Sequence, residues 1–287
     1  MLVHIKEIIK KAQRGKYAVG AFNVNNLEMV LAVIRAAEKA QSPAIIQMTE
    51  GAIEYAGLEE LVALIKAAAG ETRVPLAIHL DHGHSPELIK KCVQIGFSSV
   101  MIDASAYPYQ KNVHLTKNIV KLAHAKGVWV QAELGRLEGL EDWVKVGQGE
   151  GFFTVPADAK RFARETGINV LAVAIGNYHG VQKVLENKVL KLDLKRLARI
   201  AKIVSVPLVL HGASGFPGSQ IRQAIKLGIR IINIDSDLRI AFIKAEKGFL
   251  QKNKDVFDPR KILTPAIEAM QDTIIKKMKM FGSYHKT

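Results

Sequence analysis

The sequence predicts an α/β fold: a single (β/α)8-barrel (TIM barrel) domain over residues 1–287, with an extra carboxy-terminal helix. Two observations support this prediction. Eight short and uninterrupted apolar segments recur along the chain, and amphipathic stretches separate them. Strands that are buried on both faces need such continuous apolar character, and strands that alternate with helices form parallel sheets. Eight units of this kind most simply close into a barrel, with an open doubly wound sheet as the alternative.

The predicted elements alternate along the chain without a proline- or serine-rich linker. The predicted strands are Tyr17–Phe22, Ala44–Met48, Leu76–Leu80, Ser99–Ile102, Val128–Ala132, Val170–Ala174, Pro207–Leu210 and Ile229–Ile232. Apolar residues at helical spacing, such as Leu27, Val30, Leu31 and Ile34, predict the earlier helices. The later helices are predicted over Ala157–Thr166, Leu194–Val204, Ser219–Leu227 and Asp237–Lys247.

Three further segments depart from this alternation. A last helix, Pro265–Phe281, is predicted beyond the eighth unit, because Thr264 can cap it and proline is favoured at a first helical position. The connections over residues 134–156 and 176–193 are unusually long. Long loops in a compact barrel often close over an active site, so we expect these two to contribute to one.

The chain carries 41 Lys and Arg against 27 Asp and Glu, a net charge of +14 that favours anionic partners. Phosphorylated metabolites are expected rather than nucleic acid, since aromatic residues make up only 6% and no long basic run occurs. No segment reaches the roughly 18 apolar residues of a membrane span, and the first residues lack a signal peptide's apolar core. With the single cysteine, Cys92, these features predict a cytoplasmic protein with no membrane partner.

Polar and metal-capable residues follow the predicted strands. In chain order they are Asn23 and Asn25, Thr49 and Glu50, Asp81 and His82, Asp103, Glu133, His179, His211, and Asn233 and Asp235. Active sites of barrels of this kind form at the carboxyl ends of the strands. Because such residues recur after every strand, we expect them to build one shared site.

Three of these residues, His82, His179 and His211, form a candidate metal site. A single histidine at such a position is more often a hydrogen-bonded core or loop residue. Three histidines at strand ends, with a position open to water or substrate, are typical of catalytic zinc. Glu133 is a further candidate ligand at the end of the fifth strand.

Glycines and hydroxyl groups follow the last three predicted strands, at Gly180, at residues 212–215 and at residues 233–236. Phosphate binds to backbone N–H groups that glycines leave accessible, and to hydroxyls. Phosphate sites after the seventh and eighth strands are common in this fold. The motif HGASG taken alone fits a glycine-rich turn equally well, but its place in the order favours a phosphate site.

The motifs HLDHG, MIDAS, AELG, GNYHG, LHGASG and NIDSDL occur in that order along the chain. In their order and spacing the sequence resembles the class II fructose-bisphosphate and tagatose-bisphosphate aldolase family. The similarity covers nearly the whole chain, from AFNVNN to FDPRK and the closing helix. The resemblance implies zinc-dependent, reversible cleavage of fructose 1,6-bisphosphate into dihydroxyacetone phosphate and glyceraldehyde 3-phosphate, a reaction of glycolysis and gluconeogenesis.

The resemblance also implies catalytic roles. By it, His82, His179 and His211 hold Zn2+, and Asp81 is the acid/base at the hydroxyl next to the cleaved carbon–carbon bond. Glu141 matches a mobile proton-transfer glutamate, with Glu138 and Asp142 as alternatives. Asp103 and Glu133 match positions that hold a second, looser divalent metal or support the first, and a monovalent cation is a further expectation.

Substrate contacts follow from the same resemblance. The residues that match the dihydroxyacetone phosphate site are Gly180, Lys183, Gly212, Ser214, Asn233, Asp235 and Ser236. Asn25, Thr49 and Arg260 match residues near the other phosphate. The chain departs from the commoner pattern at Thr49, Gln182 and Ser236, where the family often has Ser, Tyr and Thr. Family members are dimers or tetramers, so a homodimer or homotetramer is expected.

Other functions remain open at this point. Tagatose 1,6-bisphosphate is an alternative substrate, although Asp235 favours fructose because tagatose-type members more often carry an apolar residue there. Another metal-dependent lyase or epimerase of sugar phosphates would also fit the strand-end residues. A barrel that binds nucleic acid through its positive charge is a third alternative, and steep salt dependence would reveal it.

Overall fold

Eight parallel strands close into a barrel in the computed structural model, as the sequence predicted. The structure describes residues 1–141, 144–147, 151–186 and 191–287. The barrel strands are β1 (Val19–Asn23), β2 (Ala44–Met48), β3 (Leu76–Gly83), β4 (Ser99–Ile102), β5 (Trp129–Leu134), β8 (Val170–Val173), β10 (Leu208–Leu210) and β11 (Ile229–Ile234). Their order is β1-β11-β10-β8-β5-β4-β3-β2, and β1 closes the sheet by pairing with both β11 and β2.

Apart from the first helix, which precedes β1, helices follow the barrel strands and surround the sheet. Those of the first half are α1 (Ile5–Gly15), α2 (Leu27–Ala40), α3 (Glu50–Ala56), α4 (Leu58–Gly70), α5 (Pro86–Ile95) and α6 (Tyr109–His124). Those of the second half are α7 (Pro156–Thr166), α8 (Gln182–Leu185), α9 (Leu194–Ile203), α10 (Gly218–Lys226), α11 (Ser236–Lys252) and α12 (Pro259–Phe281). In the described ranges, no helix is long and apolar enough to cross a membrane.

The apolar core has two parts, one outside the barrel and one inside its amino-terminal end. The larger part lies between the strands and the surrounding helices, where apolar faces such as Val30 and Ile34 of α2 are buried. The smaller part lies inside the barrel, where α1 packs Ile5, Ile8 and Ile9 against inward residues of the strands. Because α1 closes the amino-terminal end of the barrel, ligands must enter from the other end.

The two long connections contain structure of their own. Strands β6 (Glu138–Glu141), β7 (Val144–Val146) and β9 (Tyr178–His179) form a three-stranded sheet in the order β7-β6-β9. This sheet joins the predicted 134–156 and 176–193 connections to each other, with β6 parallel to β9. The connections therefore pack against one another at the carboxyl end of the barrel.

The last helix begins earlier than predicted. It starts at Pro259, and Asp258 caps it by accepting a hydrogen bond from the N–H of Arg260. Asp258-Pro259 provides the same capping chemistry as Thr264-Pro265, and the helix begins at the earlier pair. The predicted start at Pro265 is wrong: this proline lies inside α12, where it costs one backbone hydrogen bond.

Candidate active site

The inward side chains of the barrel change from apolar to polar along the strands. Inward residues recur at every second position of a strand. Four pairs illustrate the change: Ala21 and Asn23, Ile45 and Gln47, Val209 and His211, and Ile231 and Asn233. The first member of each pair belongs to the interior cluster with α1, and the second is a buried polar residue. Buried polar groups therefore meet at the carboxyl end, the end at which barrels of this kind carry active sites.

The three histidines predicted as ligands come together at this end. The ring centroid of His82 lies 4.6 Å from that of His211 and 5.2 Å from that of His179. One ring nitrogen from each histidine lies within 4.8 Å of the others, and all three side chains are buried. Three imidazoles with carboxylates nearby are the donor set of catalytic zinc sites, so these residues fit that metal.

His82 owes its position to an irregular end of β3. Its φ of +44° is left-handed, which non-glycine residues seldom adopt, and the register between β3 and β4 shifts between Leu80 and Gly83. A Cβ atom at Gly83 would lie 2.5 Å from the carbonyl oxygen of Met101, so glycine is required for this close approach. The sequence predicted that the strand ends at Leu80, whereas β3 continues through His82 in this distorted form.

Asp103, which follows β4, fixes the ring of His82. Its Oδ2 lies 2.6 Å from Nδ1 of His82, and its Oδ1 accepts the N–H of Ser105 at 3.0 Å. Burial opposes ionisation of Asp103. The hydrogen bond and charge of His82, together with the hydrogen bonds of Ser105, outweigh burial and hold the pKa of this carboxyl below its usual range. A carboxylate at Nδ1 leaves Nε2 of His82 to face a metal. Asp103, His82 and Glu133 also form a second group that could hold an ion.

His179 lies in β9, in the connection after β8, and not at the end of a barrel strand as predicted. Asn177 supports this connection by donating from Nδ2 to the carbonyl of His211 at 3.0 Å. The backbone of Gly212 also packs against β9, because a Cβ there would lie 2.5 Å from the carbonyl oxygen of Tyr178. Contacts between loops, rather than barrel register, therefore bring His179 to the site.

His211, directly after β10, has polar neighbours at both ring nitrogens. Nδ1 lies 2.8 Å from Nε2 of His82 and 3.5 Å from Oε2 of Glu133. Nε2 lies 2.7 Å from the side-chain amide of Gln131. The amide nitrogen of Gln131 is a donor, so Nε2 of His211 accepts this hydrogen bond. Nδ1 of His211 is then the nitrogen that faces the other histidines.

Asp81 faces inward from β3 and is 1% exposed. Its Oδ2 accepts hydrogen bonds from Asn23 and Gln47, both at 2.9 Å, and its Oδ1 accepts one from Asn233 at 3.0 Å. Hydrogen bonds of this kind stabilise the ionised form of a buried carboxyl group. Oδ1 also lies 3.9 Å from Nε2 of His82, so a carboxylate able to exchange protons stands beside the histidine cluster.

A cavity of about 490 Å³ opens beside His179 and His211. Six of the residues predicted to bind substrate line it: Gly180, Gly212, Ser214, Asn233, Asp235 and Ser236. Helix α11 begins at Ser236, and the backbone N–H groups and dipole at a helix amino terminus favour an anion. The cavity therefore combines the histidine cluster with a place for an anionic group.

Three predicted substrate residues lie outside this cavity. Asn25 lines a neighbouring cavity of about 400 Å³, and Arg239 lines both cavities. Thr49 is buried and caps α3 with its side chain. Arg260 is exposed and pairs with Asp258 at 2.9 Å.

Two predicted residues are described only by their backbone. Glu141 lies in β6 and Lys183 in α8, and their side chains lie outside the described part of the chain. Asp142, an alternative to Glu141, lies wholly outside the described residues. Glu138, the other alternative, is half-buried at the start of β6.

Two buried amides that support the site were not among the predicted residues. Gln47 donates to Asp81, and Gln131 contacts His211. The signal was present in the sequence, because each is a polar residue inside an otherwise apolar strand. Such a residue is expected to find a hydrogen-bonding partner in the barrel interior.

Comparisons with known proteins agree with this geometry. The family model "Fructose-bisphosphate aldolase class-II" matches residues 3–286. A fructose-bisphosphate aldolase of Thermus caldophilus is 45% identical over 99% of both chains. The structure of a putative fructose-1,6-biphosphate aldolase from Coccidioides immitis superimposes with a TM-score of 0.90 at 34% identity, over 99% of this chain and 97% of that one. The YdjI aldolase from Escherichia coli K12 gives a TM-score of 0.83 at 35% identity, over 100% of this chain and 99% of that one.

Proposed function

The chain belongs to the class II fructose-bisphosphate aldolase family, and we propose that it reversibly cleaves fructose 1,6-bisphosphate into dihydroxyacetone phosphate and glyceraldehyde 3-phosphate. The observation that carries this proposal is the buried cluster of His82, His179 and His211 beside the carboxylate of Asp81. The cavity next to the cluster has its glycines, hydroxyls and a helix amino terminus on one side. This arrangement provides for a metal, a proton acceptor and a phosphate together.

We assign the catalytic Zn2+ to His82, His179 and His211, whose ring nitrogens converge. The chemistry supplied there is that of a Lewis acid, which stabilises the negative charge that develops when the carbon–carbon bond breaks. Asp103 orients His82 through Nδ1, and Gln131 orients His211 through Nε2. We propose two roles for Asp103 and Glu133: they support this site, and they bind a second divalent ion.

Asp81 takes the proton from the hydroxyl of the carbon that becomes the aldehyde, and returns it in the condensation direction. A base must lie within hydrogen-bonding reach of the proton that it removes. Asn23, Gln47 and Asn233 fix both oxygens of Asp81 in place, which keeps the carboxylate aimed at one position. Glu141, in the sheet over the barrel end, is the proposed second proton-transfer group, at the carbon of the three-carbon fragment.

The phosphate of the dihydroxyacetone half is proposed to bind where α11 begins. Gly212, Ser214 and Ser236 line the cavity there, and Gly180, Asn233 and Asp235 line the surrounding wall. Lys183 belongs to this end by its place in the connection after β9. Because glycine leaves backbone N–H groups accessible, an anion can approach closely.

The other phosphate is proposed to lie toward Asn25, Thr49 and Arg260. Arg239 supports this direction, because it lines both the main cavity and the neighbouring cavity that contains Asn25. A homodimer or homotetramer is also proposed. Exposed apolar side chains support association: Tyr55 is 77% exposed and Phe257 is 84% exposed.

One set of assays tests this function. Purified protein should cleave fructose 1,6-bisphosphate in a coupled assay, lose activity in a strong chelator, and regain it with added Zn2+. Borohydride with dihydroxyacetone phosphate should leave no covalent adduct, because the barrel strands contain no lysine that could form an imine. Activity that survives chelation with metal confirmed absent would contradict the proposal.

A further inference from the structure

We infer that Lys277, on the last helix, is a positioning residue that sets the affinity of the site for phosphate by neutralising Asp237. The inference rests on the proposed function, because it concerns the phosphate end of the same cavity. Neither residue lines the cavity, so the effect must pass through the loop and the helix end that do.

Asp237 stands in the first turn of α11, beside the loop of residues 212–215. Its N–H donates to Oγ of Ser214 at 3.3 Å, and its Oδ2 accepts the N–H of Gly215 at 3.4 Å. Ser214 and Ser236, on either side of this contact, both line the cavity. The carboxylate of Asp237 therefore contacts the elements that are proposed to hold the phosphate.

A carboxylate at this position has two opposite effects. It stabilises α11, because a negative charge in the first turn interacts favourably with the helix dipole. It also repels an anion that binds to the same helix end and loop. The side chain of Asp237 is only 14% exposed, so solvent screens this repulsion weakly.

Lys277, on α12, offsets the repulsion between Asp237 and a bound anion. Its Nζ lies 2.5 Å from Oδ2 of Asp237, and its own side chain is also 14% exposed. The ammonium group cancels the charge of the carboxylate, while Asp237 keeps its contacts with the loop. Removing one partner of such a partly buried pair leaves the other charge uncompensated.

The test measures phosphate binding, so it does not depend on turnover. Calorimetric titration with dihydroxyacetone phosphate, and competition by inorganic phosphate, compare the wild type with Lys277→Met, Asp237→Asn and the double variant. Lys277→Met should weaken binding of both probes about tenfold, and the double variant should return to within about threefold of the wild type. Lys277→Arg should retain the wild-type affinity, because it keeps the positive charge.

Further variants make the result specific. Lys276→Met removes the same charge from the neighbouring, exposed position of α12 and should leave phosphate affinity unchanged. Lys277→Gln replaces Lys277→Met if that variant does not fold. In cleavage assays, the loss at Lys277 should raise KM for the bisphosphate and leave kcat within about twofold.

Two outcomes would overturn the inference. Unchanged phosphate affinity in Lys277→Met, with only a lowered thermal unfolding temperature, would show that the pair merely joins α12 to α11. Equal losses of phosphate affinity in Lys277→Met and in the double variant would show that the charge of Asp237 is irrelevant. If the wild type binds neither probe, the phosphate site of the proposed function is itself wrong, and the inference fails with it.

Discussion

Nδ1 of His82 and Oδ2 of Asp103 lie 2.6 Å apart, so the carboxylate orients the ring of a proposed zinc ligand. We expect Asp103→Asn to weaken zinc binding about 10- to 100-fold, the usual effect of losing such a partner. Competition with a chromophoric chelator would measure the zinc affinity. A variant that keeps its zinc affinity but binds one divalent ion fewer would instead favour Asp103 as a ligand of a second metal.

His179→Ala and His211→Ala should each lose bound zinc and abolish cleavage while the fold survives. Each substitution removes one nitrogen from a cluster of three, which leaves too few protein ligands for a catalytic site. Metal analysis and circular dichroism check the two parts of this expectation. His114→Ala, at an exposed position of α6, is the matched control. Stoichiometric zinc in both cluster variants would refute the assignment.

Asp81→Asn should retain zinc but lower turnover by about 100-fold or more, because general acid–base groups contribute about that much. The amide keeps the size of the carboxyl group and replaces only one of the two oxygens that accept from Asn23, Gln47 and Asn233. Steady-state kinetics and metal analysis on the same sample measure the turnover and the zinc content. Near-normal turnover would remove Asp81 from the mechanism.

His79 should make the unfolding free energy fall as the pH drops below about 6.5, the ordinary pKa of histidine. Burial in the barrel lowers the pKa of His79 to about 3, although its hydrogen bond to Ser99 acts in the opposite direction. Between these two values the unfolded chain binds one proton more than the folded chain. The stability lost through this group is therefore up to about 1.4 kcal/mol per pH unit.

Replacing this histidine checks the sign. In His79→Gln, the unfolding free energy should depend less steeply on pH between 4 and 6.5, by about one proton. Urea titrations of the wild type and the variant, both in chelator so that metal release does not contribute, give the two slopes. Equal slopes would mean that His79 is protonated in the folded protein too.

Fructose 1,6-bisphosphate should be cleaved with a higher kcat/KM than tagatose 1,6-bisphosphate. Asp235 motivates this prediction, since it lines the cavity and is held by Arg239 at 2.8 Å. Asp235→Ala should then shift the ratio of the two kcat/KM values toward tagatose. A wild-type preference for tagatose would show that Asp235 does not favour fructose.

The barrel itself could be predicted from the sequence, because strands buried on both faces leave a continuous apolar signal. The strand ends could not be predicted as well. β3 continues past Leu80 only because Gly83 permits close backbone contact and His82 adopts a left-handed conformation. Both depend on the neighbouring strand, which local patterns do not describe.

The shared site could be predicted from the polar residues that follow successive strands. The contacts that support it could not. Gln47 and Gln131 are detectable in the sequence as polar residues within apolar strands, but this pattern does not show which side chains they contact. His179 was expected at the end of a barrel strand, but it lies in β9 and is placed by contacts between loops. Such contacts join segments far apart in the chain, so no local pattern predicts them.

The hydrogen bonds that position the proton acceptor, Asp81, are complete only when the barrel closes. Asn23 and Asn233, which hold the two oxygens of Asp81, stand on β1 and β11, and these strands pair with each other. A ribosome-bound chain that has emerged only through α10 contains every histidine of the cluster but not Asn233. Catalytic competence should therefore arise in one late step, when β11 docks, instead of increasing gradually as synthesis proceeds.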